Sequence, residues 1–177
     1  MYMILLVIDT QKGIMNDNLF AFEKVKSNIA NLIKEARNNN VEVVFVRHDD
    51  GVGSGFSVGD DDFEIYPDFA PVGTEKVFDK TVNSAFHEMT RLTDYLLTKS
   101  VKKVIIVGLQ TDYCIDATIK SGFEHGFEMI VPEYTNSTFD NKYMKSDVSY
   151  HYYNDHIWPN RYAACISMET AVKLLKR

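Results

Sequence analysis

Residues 102–123 read KKVIIVGLQTDYCIDATIKSGF, and the change of period inside that stretch decides the fold. Its first part is an apolar run with no polar alternation, the pattern of a strand buried on both faces. Its second part sets Ile115, Ile119, Gly122 and Phe123 at the spacing of one helical face. A buried strand that turns at once into a helix is half of a crossover unit, and such units build parallel sheets. Working outward, the same kind of run recurs as MILLVID at 3–9, VEVVFVR at 41–47 and FEMIVPE at 127–133. EKVFDK at 75–80 and AACISM at 163–168 are weaker instances. Between the first two runs, Val25, Ile29, Leu32, Ile33 and Ala36 mark the apolar face of an amphipathic helix. The expected architecture is three-layer α/β/α around a mostly parallel central sheet.

Composition bounds the rest. A chain of 177 residues, 45% hydrophobic, supports one core of ordinary size, so a single domain over 1–177 is expected. Nineteen Lys and Arg against 25 Asp and Glu give a net charge of -6, with no basic stripe for a phosphate backbone, and nucleic acid is not an expected partner. The apolar opening MYMILLVID is too short for a membrane span and lacks the flanks of a signal peptide, which predicts a cytoplasmic protein with no membrane partner. Cys114 and Cys165, 51 positions apart, read as free thiols.

In open parallel sheets the ligand crevice lies beyond the carboxyl ends of the strands. The residues at which the apolar runs stop are Asp9, Arg47 with His48, Lys80, and the segment from Leu109 to Cys114. An acid, a cation and a thiol therefore converge on one edge. A cysteine at a helix start beside an ammonium is expected to have a lowered pKa and to act as a nucleophile, with Asp9 moving its proton.

Three segments, VIDTQ with Asp9, FDKTVNSAF with Lys80 and VGLQTDYCIDAT with Cys114, together resemble the isochorismatase-like cysteine hydrolases, the superfamily that includes nicotinamidases. HEMTRLTDYLL and HGFEMIVPEYTNST also fit that pattern, so the resemblance spans most of the chain. It implies a Rossmann-like sheet and a catalytic triad of Asp9, Lys80 and Cys114. It further implies a non-proline cis peptide between Leu109 and Gln110, an oxyanion hole formed by the amides of Gln110 and Cys114, and assembly as a homodimer or homotetramer. The implied reaction is hydrolysis of a small-molecule amide through a thioester.

Around this triad, Gln11, His48 and Tyr113 are candidate substrate contacts. No metal is expected, because residues 47–71 contain one histidine, where metal-binding nicotinamidases keep a cluster, and Asp60–Asp62 lacks the offsets of a calcium loop. Gly51, Gly53 and Gly55 match neither a dinucleotide nor a phosphate-loop pattern, so no cofactor is expected. Cys165, inside an apolar run, reads as a small core residue. Two other readings keep the fold: a nicotinamidase proper, or a non-catalytic protein that uses Cys114 only as a redox-sensing thiol; convergence of Asp9 and Lys80 on the sulfur separates the enzyme from the sensor.

Overall fold

Each apolar run becomes a strand in the computed structural model, which describes residues 2–176. These are β1 (Tyr2–Ile8), β2 (Glu42–His48), β3 (Lys76–Lys80), β4 (Val101–Leu109), β5 (Glu128–Pro132) and, after a two-residue β6 (Asn136–Ser137), β7 (Ala164–Ile166). They form one sheet in the order β3-β2-β1-β4-β5-β7, with every pairing parallel. β6 pairs with the end of β4, past the point where β5 has left it. The helices are α1 (Phe22–Asn38), α2 (Leu92–Thr98), α3 (Asp116–Glu124), α4 (Ser146–His151) and α5 (Met168–Leu175).

The absence of alternation in β1 has a simple cause. Leu5 and Val7 pack with α1 and α5 on one face, while Ile4, Leu6 and Ile8 pack with α2 and α3 on the other. All five are fully buried, so both faces must be apolar. Truncating Ile4, Leu5, Leu6 or Ile8 to alanine is expected to cost about 2–5 kcal/mol. The predicted face of α1 is the buried one: Val25, Ile29, Leu32, Ile33 and Ala36 all lie in the core. These layers are the expected α/β/α arrangement.

Gly108 is fixed by a close backbone approach between β4 and β1. Its φ is 125°, and a Cβ there would lie 1.9 Å from the Ile8 carbonyl oxygen. β4 can therefore pass β1 at this height only with glycine, one residue before the strand ends in the functional edge.

One expectation is corrected. Phe123 is about half exposed, set edge-on against Tyr162, and Thr118 takes the buried place beside Ile119 and Gly122. Further along the chain, Trp158 is fully buried and its Nε1 donates to Asp116 Oδ1 at 2.9 Å. Among the described residues, no helix is long and apolar enough to cross a membrane.

Candidate active site

The sheet delivers three side chains to one point. β1 ends one residue before Asp9, which adopts a left-handed conformation (φ 50°) that aspartate tolerates, and its amide donates to the Val46 carbonyl at 2.8 Å. β3 ends at Lys80, and β2 beside it ends at His48. β4 ends at Leu109, where the peptide to Gln110 is cis. The chain then makes a wide π-helical turn, Thr111–Ile115, before α3 begins. Cys114 is thus the fourth residue of the helical segment and is buried, at 8% exposure.

Lys80 is the hub. Its Nζ donates to Asp9 Oδ2 at 2.7 Å and to Cys114 Sγ at 3.3 Å, and it lies 3.0 Å from His48 Nδ1. An ammonium has three protons and no acceptor, so these contacts engage all of them. His48 must then accept at Nδ1 and carry its proton on Nε2, which lies 3.1 Å from Asp50 Oδ1. On its other side the sulfur faces Asn83 Oδ1 at 3.8 Å. Asp9 Oδ1 is buried with no hydrogen-bond partner among the described residues. An orphan carboxylate oxygen of that kind is an open proton acceptor.

Burial dominates the electrostatics. It raises the Asp9 pKa above the ordinary carboxylate value, against the opposing pull of the Lys80 ammonium. Burial likewise pushes the Cys114 thiol up to about 12; the Asp9 carboxylate adds to this and Lys80 opposes it. The expectation of a lowered thiol pKa is therefore overturned. Lys80 is already paired with Asp9, and the sulfur is out of water, which together outweigh the start of the helical turn. Lys80 Nζ thus pairs with Asp9 Oδ2 at 2.7 Å beside a thiol that burial disfavours ionising.

The pocket above these groups has a volume of about 240 Å³. Asp9, His48, Gln110, Tyr113 and Cys114 line it as the sequence suggested. Gln11 does not. It is fully buried, and its amide nitrogen donates to the His48 and Phe63 carbonyls while its oxygen accepts from the His48 amide. Gln11 braces the backbone under His48, having both amide ends occupied there. Arg47 also turns away, paired with Asp79 and stacked 4.2 Å from the Phe63 ring. Four lining residues were not singled out from sequence: Ile14, Asp50, Phe56 and Asn83. Asn83 lies within the FDKTVNSAF segment and Asp50 two residues past His48, so proximity to the strand ends was the available signal.

Asp9, His48 and Cys114 have ligand atoms within 4.8 Å of one another, a donor set of metal-binding type. Lys80 Nζ already sits against all three, and an ion placed among them would have to displace an ammonium. A larger open groove of about 730 Å³ runs along β5 and β7 and includes Cys165, but neither Asp9 nor Lys80 reaches it. The Cys165 thiol is pushed up to about 11 by burial and has no comparable partners.

The chain has relatives among known proteins. The chain is 31% identical over 134 residues to the isochorismatase family protein YddQ of Bacillus subtilis, covering 73% of this chain and 74% of that protein. It is 29% identical over 150 residues to Nicotinamidase 3 of Arabidopsis thaliana, covering 77% and 73% respectively. A crystal structure of an isochorismatase family protein superposes with a TM-score of 0.84 at 27% identity, over 92% of this chain and 96% of that one. Residues 3–149 match the Isochorismatase domain, and on that match the chain belongs to the isochorismatase family.

Proposed function

We propose that the protein is a cysteine hydrolase that cleaves the C–N bond of a small amide through a thioester on Cys114. The observation that carries this reading is the Lys80 ammonium bonded at once to Asp9 Oδ2 and Cys114 Sγ, with Asp9 Oδ1 left without a partner. A neutral thiol needs a base at the moment of attack, and a carboxylate oxygen of Asp9 lies within 4.8 Å of the sulfur.

The proposed steps use these residues together with the oxyanion hole that the family resemblance implies. The sulfur adds to the amide carbonyl carbon while its proton passes to Asp9. The amides of Gln110 and Cys114 hold the resulting oxyanion. Collapse of this adduct breaks the C–N bond, and Asp9 returns the proton to the departing nitrogen. Water then adds to the thioester, giving its proton to Asp9; the sulfur leaves, recovers a proton, and a carboxylic acid is released. Lys80 stays charged throughout, holding Asp9 in place and balancing the negative charge that moves between oxygen and sulfur.

The redox-sensor reading has less support. A sensing thiol is accessible and readily ionised, whereas Cys114 is buried with its pKa pushed up to about 12.

The deciding experiment is a panel of small primary amides, nicotinamide among them, assayed for ammonia release with Cys114→Ala as the blank. Release above that blank supports the reading. Its absence across a panel that samples neutral, cationic and anionic amides removes it.

A further inference from the structure

Building on the hydrolase reading, we propose that this pocket selects amides whose remaining part is uncharged or cationic, and turns away those carrying a carboxylate. The lining holds the carboxylates of Asp9 and Asp50 and, among the described residues, no lysine or arginine. Lys80 lies beneath, its protons engaged by Asp9, His48 and Cys114. Cations on the adjoining elements are already paired: Arg47 with Asp79 and Glu64, and Lys12 with Asp61. With Asp9 balanced by Lys80, a substrate carboxylate would meet the Asp50 carboxylate and no cation in the lining, while a substrate ammonium would find Asp50 as its partner.

Asp50 is suited to that meeting. Its side chain is 57% exposed, and its Oδ1 lies 3.1 Å from His48 Nε2. At the floor, the buried and unpartnered Asp9 Oδ1 marks the reacting end of the ligand. Elsewhere in the lining, Ile14, Phe56 and Tyr113 offer apolar and aromatic surface, which suits a neutral chain and also tolerates a cation over a ring face. At about 240 Å³ the cavity is smaller than the roughly 300–1,000 Å³ of drug-sized sites, so the acyl part is a few carbons long.

Two measurements test this. The first compares kcat/KM for three amides of matched size: butyramide (neutral), 3-aminopropanamide (cationic) and succinamate (anionic). Succinamate is expected to be the poorest by at least about tenfold, the scale on which clefts of one charge sign discriminate. The Asp50→Asn protein, which keeps an acceptor for His48, should narrow the cation-to-anion ratio. Succinamate turned over as well as the other two, or a ratio unmoved by Asp50→Asn, overturns the proposal.

The second measurement does not depend on turnover. In a Cys165→Ala background, Cys114 is modified with 2-aminoethyl or 2-sulfonatoethyl methanethiosulfonate, the sulfur displacing methanesulfinate to form a mixed disulfide. The cationic reagent should exceed the anionic one by about tenfold or more beyond their ratio on free 2-mercaptoethanol. That excess should shrink with added salt and in Asp50→Asn. A ratio equal to that of the free thiol refutes the charge selection even if no amide is cleaved. An unreactive amide panel together with the expected reagent ratio refutes the hydrolase reading alone.

Discussion

His48 Nδ1 lies 3.0 Å from Lys80 Nζ, completing the set of acceptors around the ammonium that also serves Asp9 and Cys114. The ring can do this only while neutral, because a protonated imidazole would bring two cations face to face. Removing the acceptor frees one Lys80 proton and with it the orientation of the nitrogen. His48→Ala should lower kcat by about tenfold or more, the scale of one hydrogen bond to a charged group. His48→Asn, which restores an acceptor, should recover part of the loss. Equal kcat values for wild type and His48→Ala would show that the contact is incidental.

The thiol gives a second prediction. With its pKa pushed up to about 12, alkylation of Cys114 by iodoacetamide should rise about tenfold per pH unit through pH 10, with no plateau. Peptide mass spectrometry over a pH series reads this directly, and a plateau below pH 9 would contradict it. Asp9→Asn separates the two roles of the acid. Turnover should fall by about 10² to 10⁴, the usual worth of a positioned acid–base group. Alkylation should be no slower than in wild type, since the carboxylate is one cause of the raised thiol pKa.

Chelators should leave activity unchanged. Asp9, His48 and Cys114 are donors of the right kind for a metal, but the Lys80 ammonium is in contact with each of them. Dialysis against EDTA followed by assay and elemental analysis checks this. Activity lost on dialysis and restored by one divalent metal would show that Lys80 gives way to an ion.

Much of this site could be read in the chain because strand ends can be. Ile4 to Ile8 and Val104 to Val107 are apolar on every residue, and only a strand covered on both faces has that pattern. Once the runs are placed, Asp9, Lys80 and Cys114 fall at their carboxyl ends by topology alone. What escaped is set by distant contacts with no local period. Phe56 and Ile14 reach the pocket from loops, and β6 exists only because β5 departs from β4. Gln11 was legible as a polar residue near Asp9, yet its task, holding the His48 backbone, depends on a strand 37 positions away. The thiol pKa failed for the same reason. The helical turn is a local feature, while the burial that outweighs it comes from the whole fold.

The last prediction concerns what the site costs the fold. Lys80 and Asp9 are closed off from water, with side chains 0% and 2% exposed, and each is compensated by the other. Lys80→Met leaves a buried carboxylate without its counter-ion, and removing one partner of a buried pair typically costs about 3–5 kcal/mol. The sign with pH follows from Asp9, whose pKa is already raised by burial and must rise further once the ammonium is gone. A group with a raised folded pKa contributes stability that is fully present below its unfolded value, about 4, and is lost as pH rises through the folded value. The deficit of Lys80→Met relative to wild type should therefore be large at pH 8 and shrink toward pH 5, measured by urea denaturation at each pH. Adding Asp9→Asn removes the charge that protonation would neutralise, so the double variant should regain much of the stability at pH 8 and lose the pH dependence of the difference. A Lys80→Met deficit that is the same at both pH values, or a double variant as unstable at pH 8 as the single one, would mean that packing around the lysine stem, not its charge, holds this part of the protein together.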